Sequence, residues 1–145
     1  MSTGLSACGV RPDVQAFLMR YAEAGDTKDP EALRACFLDT FLSLDPNTAA
    51  AVSLELLIKT LPRREQMFSS AGIIGLDLVE CSEIPLDDLH TLVETTWQAR
   101  LAEPRATSEP LHIPAAFLLR KTDEGWKIAV YLNHMDLSVA LQNFD

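Results

Sequence analysis

Residues 35–46, ACFLDTFLSLDP, decide how the rest of the chain reads. Leu33, Cys36 and Phe37 fall at i, i+3 and i+4, one helical stripe, whereas Phe41, Ser43 and Asp45 alternate, one face of an extended segment. The stretch is predicted as the end of a helix running straight into a strand that stops at Asp45-Pro46. A carboxylate then shares a strand face with a large aromatic ring. If that face lines a cavity, Asp45 is a candidate acid or base. If it does not, its side chain closes a turn by accepting from the backbone N–H of Asn47 or Thr48.

Upstream, residues 1–11 read as a loose tail, and 12–145 as a single domain. Pro12 or Asp13 opens a helix, because proline is tolerated in the first turn and a carboxylate satisfies free N–H groups there. Val14, Phe17, Leu18, Tyr21 and Ala22 form its apolar stripe, which ends near Gly25-Asp26. Asp29, as cap, and Pro30 start a second helix that leads into the strand.

Downstream, Ser53 caps a third helical pattern carrying Leu54, Leu57, Ile58 and Leu61; Pro62 is expected to kink or interrupt it, and Gly72 ends it. From Ile73 the period becomes two. Residues 73–84 and 89–101 read as a hairpin, 103–110 as a loop, 111–121 and 126–135 as a second hairpin around Asp123-Glu124-Gly125, and 136–144 as a short helix capped by Asp136. Helices followed by long antiparallel strands give an α+β order. A strongly curved antiparallel sheet would wrap three N-terminal helices into a cone and leave a pocket between the layers.

The chain has 145 residues, long enough for one core without disulfides or metals. Its 21 acidic against 12 basic residues give a formal charge of −9, which argues against nucleic acid or an anionic membrane as partner. Arg63-Arg64 is too small a basic cluster to change this. Three cysteines with no CxxC spacing read as free thiols in a reducing compartment. Leu5-Ser6-Ala7-Cys8 has the look of a lipoprotein cleavage box but lacks a preceding apolar region, so a cytoplasmic location is expected, with no membrane span.

The aromatic on helix one, the Gly-Asp before helix two, the short strand ending in Asp-Pro and the C-terminal DEGWKIAVY together resemble the NTF2-like superfamily, over about residues 12–142. Residues 20–46 are similar to the corresponding stretch of the ketosteroid isomerases, and DLSVALQNF is similar to the end of SnoaL-like polyketide cyclases. The resemblance implies a cone-shaped NTF2-like fold. It implies that Tyr21 donates to an oxyanion and Asp45 shuttles a proton. The second oxyanion donor of the isomerases, a carboxyl ahead of a Phe, falls here on Ala115 ahead of Phe117.

Two catalytic candidates follow, Asp45 and Tyr21. An apolar pocket would raise the Asp45 pKa into a useful range for proton transfer. Tyr21 also has the spacing of an ordinary core residue. Phe17, Phe41, Trp97 and Phe117 suit a flat hydrophobic ligand and would equally make a plain core, and His134 is expected at the pocket mouth or an interface. His112 and His134, with Asp136 or Glu94, lack metal-ligand spacing, and no phosphate loop, nucleotide fingerprint or catalytic triad appears, so no metal and no cofactor is expected.

The expected function is binding of a hydrophobic small molecule. It extends to a cofactor-free isomerase, cyclase or dehydratase acting on a carbonyl compound, with a non-catalytic binding or dimerisation domain as the alternative. In the last strand Ala129, Tyr131, Asn133 and Met135 oppose Trp126, Ile128, Val130, Leu132 and His134, so both faces are largely apolar. A homodimer packed through the outer sheet face, with Tyr131 near its centre, is expected.

Overall fold

The computed structural model describes residues 8–103 and 110–142. The chain runs β1 (Cys8–Gly9), α1 (Pro12–Thr27), α2 (Pro30–Arg34), β2 (Phe37–Leu44), β3 (Ala49–Ser53), α3 (Leu54–Ser70), β4 (Ile73–Pro85), β5 (His90–Leu101), β6 (His112–Thr122), β7 (Gly125–Asn133) and α4 (Leu137–Gln142). Residues 1–7 of the expected tail, 104–109 of the expected loop, and Asn143 and Phe144 of the expected last helix lie outside the described residues, whereas Cys8 and Gly9, expected in the loose tail, form β1.

Local chemistry sets the helix ends. Pro12 sits in the first turn of α1, and Lys28, at φ 57°, closes the helix with its N–H on the Ala24 carbonyl, past the expected end at Gly25-Asp26. The Asp29 side chain accepts from the Glu31 N–H at 3.0 Å at the start of α2, and Ser53 from the Leu56 N–H at 3.1 Å at the start of α3. Pro62 does not interrupt α3; it lies on the exposed side. Gly72, at φ 80°, turns the chain out of α3 into β4.

The sheet order is β1-β4-β5-β6-β7-β2-β3. It is antiparallel from β4 through β7 and between β2 and β3, but β2 pairs with β7 in parallel and β1 with β4 in parallel. The expected all-antiparallel sheet is therefore mixed, because β2 and β7 are joined through a long excursion and not a hairpin. The helices pack on the inner face of this curved, unclosed sheet. Phe17 and Leu18 from α1 and Phe117, Leu119 and Ile128 from the sheet are the largest fully buried side chains. Burying a side chain of this size is worth about 1.5–3 kcal/mol.

Two corrections follow from the strand pairing. Cys8 and Cys81 face each other in the β1–β4 register and form a disulfide with Cα atoms 4.4 Å apart, so only Cys36 among the three cysteines is a thiol. A pairing across 73 residues of sequence leaves no local spacing to read. Within β7, Leu118 pairs with Val130 and Leu119 with Ile128, which leaves Ala129 as an extra residue, a β-bulge. One extra residue reverses the alternation. Trp126 and Ile128 point inward before the bulge, and Tyr131 stacks on buried Phe117 after it, with centroids 5.4 Å apart. Tyr131 therefore belongs to the interior and not to the outer face where strict alternation placed it.

Candidate functional site: an aromatic cavity with a cationic end

Between the second half of α1, α2, α3 and the inner sheet face lies a cavity of about 240 Å³. Its apolar wall comes from Leu33, Phe37, Leu57, Phe68, Trp97 and Phe117, among others. Tyr21 projects into this wall from α1. Its ring meets Phe37, Trp97 and Phe117 edge-on at centroid distances of 6.1, 6.0 and 5.4 Å. Trp97 is itself fixed by an Nε1–H bond to the Thr95 hydroxyl at 2.8 Å, and that hydroxyl donates to the Ala115 carbonyl at 2.7 Å.

The hydroxyls of Tyr21 and Tyr131 and the guanidinium of Arg64 line the same cavity, as do Lys28 and Ser69. Arg64 Nη2 donates to the Tyr131 hydroxyl at 3.4 Å, and its guanidinium carbon lies 5.2 Å from the centre of the Phe68 ring. Among the described residues, Arg64 has no carboxylate within ion-pair distance, and the Tyr21 hydroxyl has no hydrogen-bond partner. Burial is the main cause that pushes the Tyr21 phenol well above its ordinary value, with Tyr131 adding to it and Arg64 acting the other way. The phenol is therefore a neutral donor at any ordinary pH. Tyr131, and less strongly Tyr21, raise the Arg64 pKa against the effect of burial, so the guanidinium stays charged.

Three carboxylates also line the cavity, Asp26 and Asp29 exposed to water and Glu65 half-buried. Asp29 is occupied as the α2 cap. Asp26 pairs with Arg100 at 3.3 Å, and Arg100 also holds Asp77 at 2.6 Å. Gly75 makes that crossing possible, since a Cβ there would sit 2.8 Å from Arg100 Nη1 and 2.9 Å from Asp26 Oδ1.

Of the residues expected from sequence, Tyr21, Trp97 and Phe117 meet at the cavity. Phe17 and Phe41 stand behind it in the core, Phe17 stacked beside Tyr21 at 6.4 Å and Phe41 against Phe37 at 4.7 Å. His134 does not line the cavity; its Nε2 lies 3.1 Å from Glu94. No group of three or more His, Cys, Asp or Glu among the described residues is arranged to hold a metal.

Asp45 is corrected. It is exposed, and its Oδ1 accepts from the Asn47 N–H at 2.8 Å, the Thr48 N–H at 2.8 Å and the Thr48 hydroxyl at 2.7 Å. Its own N–H donates to the Thr48 carbonyl at 2.9 Å, closing the β2–β3 hairpin. The Thr48 hydroxyl first, then the Asn47 N–H, hold its carboxyl below the usual value, the opposite of the shift a buried acid–base group needs. The turn reading applies, because β3 adds to β2 and the Asp-Pro pair becomes a hairpin bend.

Sequence reasoning passed over Arg64 and Tyr131. Arg64 had a signal: Leu57, Leu61, Arg64 and Phe68 recur at i, i+4, i+7 and i+11, so a cation sits on the apolar stripe of α3. Tyr131 had none, because its inward direction depends on the bulge at Ala129.

No family model matches the chain, and no curated protein does. Solved structures do. An NTF2-like protein of unknown function from Shewanella oneidensis is 14% identical with a TM-score of 0.67, over 84% of this chain and 96% of that one. A ketosteroid isomerase candidate from Shewanella frigidimarina is 13% identical with a TM-score of 0.67, over 87% and 98%. A scytalone dehydratase candidate from Novosphingobium aromaticivorans is 17% identical with a TM-score of 0.62, over 83% and 80%. At such identities the likeness carries fold alone, and the fold of this chain is NTF2-like, the cystatin-like α+β arrangement of helices on a curved sheet.

Proposed function

We propose that this chain binds a flat, hydrophobic small molecule in the cavity, with the oxygen function of the ligand directed at the Tyr21 hydroxyl. The observation that carries the reading is a cavity of about 240 Å³ whose wall is aromatic and whose phenol lacks a hydrogen-bond partner among the described residues. A cavity of about 150 Å³ holds benzene, so this one suits about two fused rings. Binding is placed ahead of proton transfer because Asp45 lies in a surface turn and Asp26 and Asp29 are already engaged; a proton-transfer reading would have to run through Glu65, the lining carboxylate with no partner among the described residues. The isomerase and dehydratase names among the fold neighbours stay with those proteins.

Thermal denaturation with a panel of naphthols and flat enones tests this. A ligand at 100-fold its Kd stabilises by about 2.7 kcal/mol, which is several degrees in a domain of this size. A panel that leaves the midpoint unmoved throughout defeats the binding reading.

The assembly proposed is a homodimer through the outer sheet face, with a different centre from the one alternation suggested. Ile84, Leu92, Leu118, Val130 and Leu42 are successive register partners and form one apolar row across five strands. Leu42 and Ile84 at its ends are 44% and 60% exposed. A row of this kind favours burial against a second copy. Sedimentation at micromolar concentration is expected to show a dimer that Leu118→Lys converts to monomer; a monomeric parent protein ends the proposal.

A further inference from the structure

The arginines among the described residues divide by partner. Arg11 holds Glu83 at 2.5 Å, Arg34 holds Glu55 at 2.5 Å, and Arg100 holds Asp77 at 2.6 Å. Arg20 and Arg63 make no ion pair among the described residues, but both are exposed to water, and half-buried Arg120, also without an ion pair there, lies outside the cavity with its Nη1 2.8 Å from His90 Nε2. Arg64 differs from both groups. It is half-buried in an aromatic wall, its one hydrogen bond among the described residues reaches the Tyr131 hydroxyl at 3.4 Å, and none of those residues gives it a carboxylate partner. Taking a cation out of water without a counter-charge costs several kcal/mol, so a guanidinium held there marks a place where an anion completes the site.

Resting on the binding reading above, we propose that the ligand is an aromatic carboxylate. Its two oxygens are taken by Arg64, with the hydroxyls of Tyr131 and Tyr21 as further donors. A guanidinium offers donors in a planar fork that matches a carboxylate and not a single carbonyl oxygen. Phe68 beneath the guanidinium, at 5.2 Å, fixes the plane of that fork. The Tyr21 phenol, kept protonated by burial, can only donate to an anion's lone pairs without repelling it. Phe37, Trp97 and Phe117 then receive the rings. The whole chain carries a formal charge of −9, so no long-range field gathers anions and selectivity rests on the cations lining the cavity, half-buried Arg64 and exposed Lys28.

Calorimetric titration with 2-naphthoate and its neutral isostere 2-naphthamide separates this proposal from the reading it rests on. The parent protein is expected to prefer naphthoate at least tenfold. Arg64→Met, which fills the same space without charge, is expected to lose that preference and bind the amide as well or better. Arg64→Lys keeps the charge without the fork; it is expected to retain the sign of the preference at reduced affinity, and serves if the Met variant does not fold. Equal affinity of the parent for the two probes, or an undiminished preference in Arg64→Met, overturns the carboxylate assignment and leaves the binding cavity standing. Failure of both probes to bind the parent overturns both.

Discussion

The two halves of α1 lie on the same sheet and share one apolar stripe, yet they end in opposite states. At the first half Asp13 and the Trp126 indole answer each other. Asp13 accepts from the Trp126 indole N–H at 2.9 Å and from the Val14 N–H at 3.0 Å, while Arg11 and Lys121 lie 5.6 and 5.7 Å from the Trp126 ring. Arg11 continues to Glu83, which accepts from buried Thr91 at 2.6 Å, and the Cys8–Cys81 bond stands beside them. At the second half the Tyr21 hydroxyl has no hydrogen-bond partner among the described residues, and the facing residues surround empty volume. The first half is built for stability. The second leaves polar groups unpaired in a way that a stable core does not tolerate unless something enters from outside.

Removing one polar atom from each half gives the largest contrast. Trp126→Phe deletes the donor to Asp13 and leaves a smaller ring. A hydrogen bond to a charged group is worth about 1.5–3 kcal/mol, reduced here because Asp13 is largely exposed, so a total loss of about 2 kcal/mol is expected. Tyr21→Phe deletes a hydroxyl with no protein partner among the described residues and is expected to change stability by less than about 0.5 kcal/mol, in either direction. Denaturant melts of both variants measure this, and equal losses would abolish the distinction between the halves. The sign with pH is also fixed. The Trp126 bond is the first cause holding the Asp13 carboxyl below its usual value, so its stabilisation is present above the unfolded-state pKa and disappears as pH falls through the folded-state value. The cost of Trp126→Phe therefore shrinks in acid.

Much of the fold was readable because periodicity and caps are local. The stripe from Val14 to Ala22, the caps at Asp29, Ser53 and Asp136, and both long hairpins each rest on residues within a few positions of one another. What was not readable is non-local or depends on phase. Cys8 and Cys81 come together only after β1 adds to the edge of β4, and β3 is five short residues, AAAVS, without a strong strand signature. Half of the cavity was visible as aromatics at strand and helix spacing. Tyr131 was lost to a single extra residue at Ala129. Arg64 was read only as part of a charge count, although its place on the α3 stripe was in the sequence.

The smallest expected effect is at Asp45, and its sign matters more than its size. Asparagine keeps the Oδ1 acceptor for the Asn47 and Thr48 N–H groups but loses the charge that strengthens those bonds. A carboxyl whose folded-state pKa is depressed contributes stability above its unfolded-state pKa and loses it as pH falls through the folded-state value. Asp45→Asn is therefore expected to be slightly less stable than the parent near pH 7, with the gap closing in acid. One effect opposes this: the Asp45 charge raises the pKa of Asp136, which the Asn47 side chain bridges to the same turn, so asparagine relieves some repulsion. That repulsion is the weakest of the causes acting on Asp136, whereas the weakened bonds include the strongest acting on Asp45, so the net sign stays destabilising. Chemical denaturation of both proteins at pH 7 and pH 3 decides it. A buried proton shuttle requires the reverse, an asparagine variant more stable at pH 7, and that result would return Asp45 to the cavity and reopen the catalytic reading.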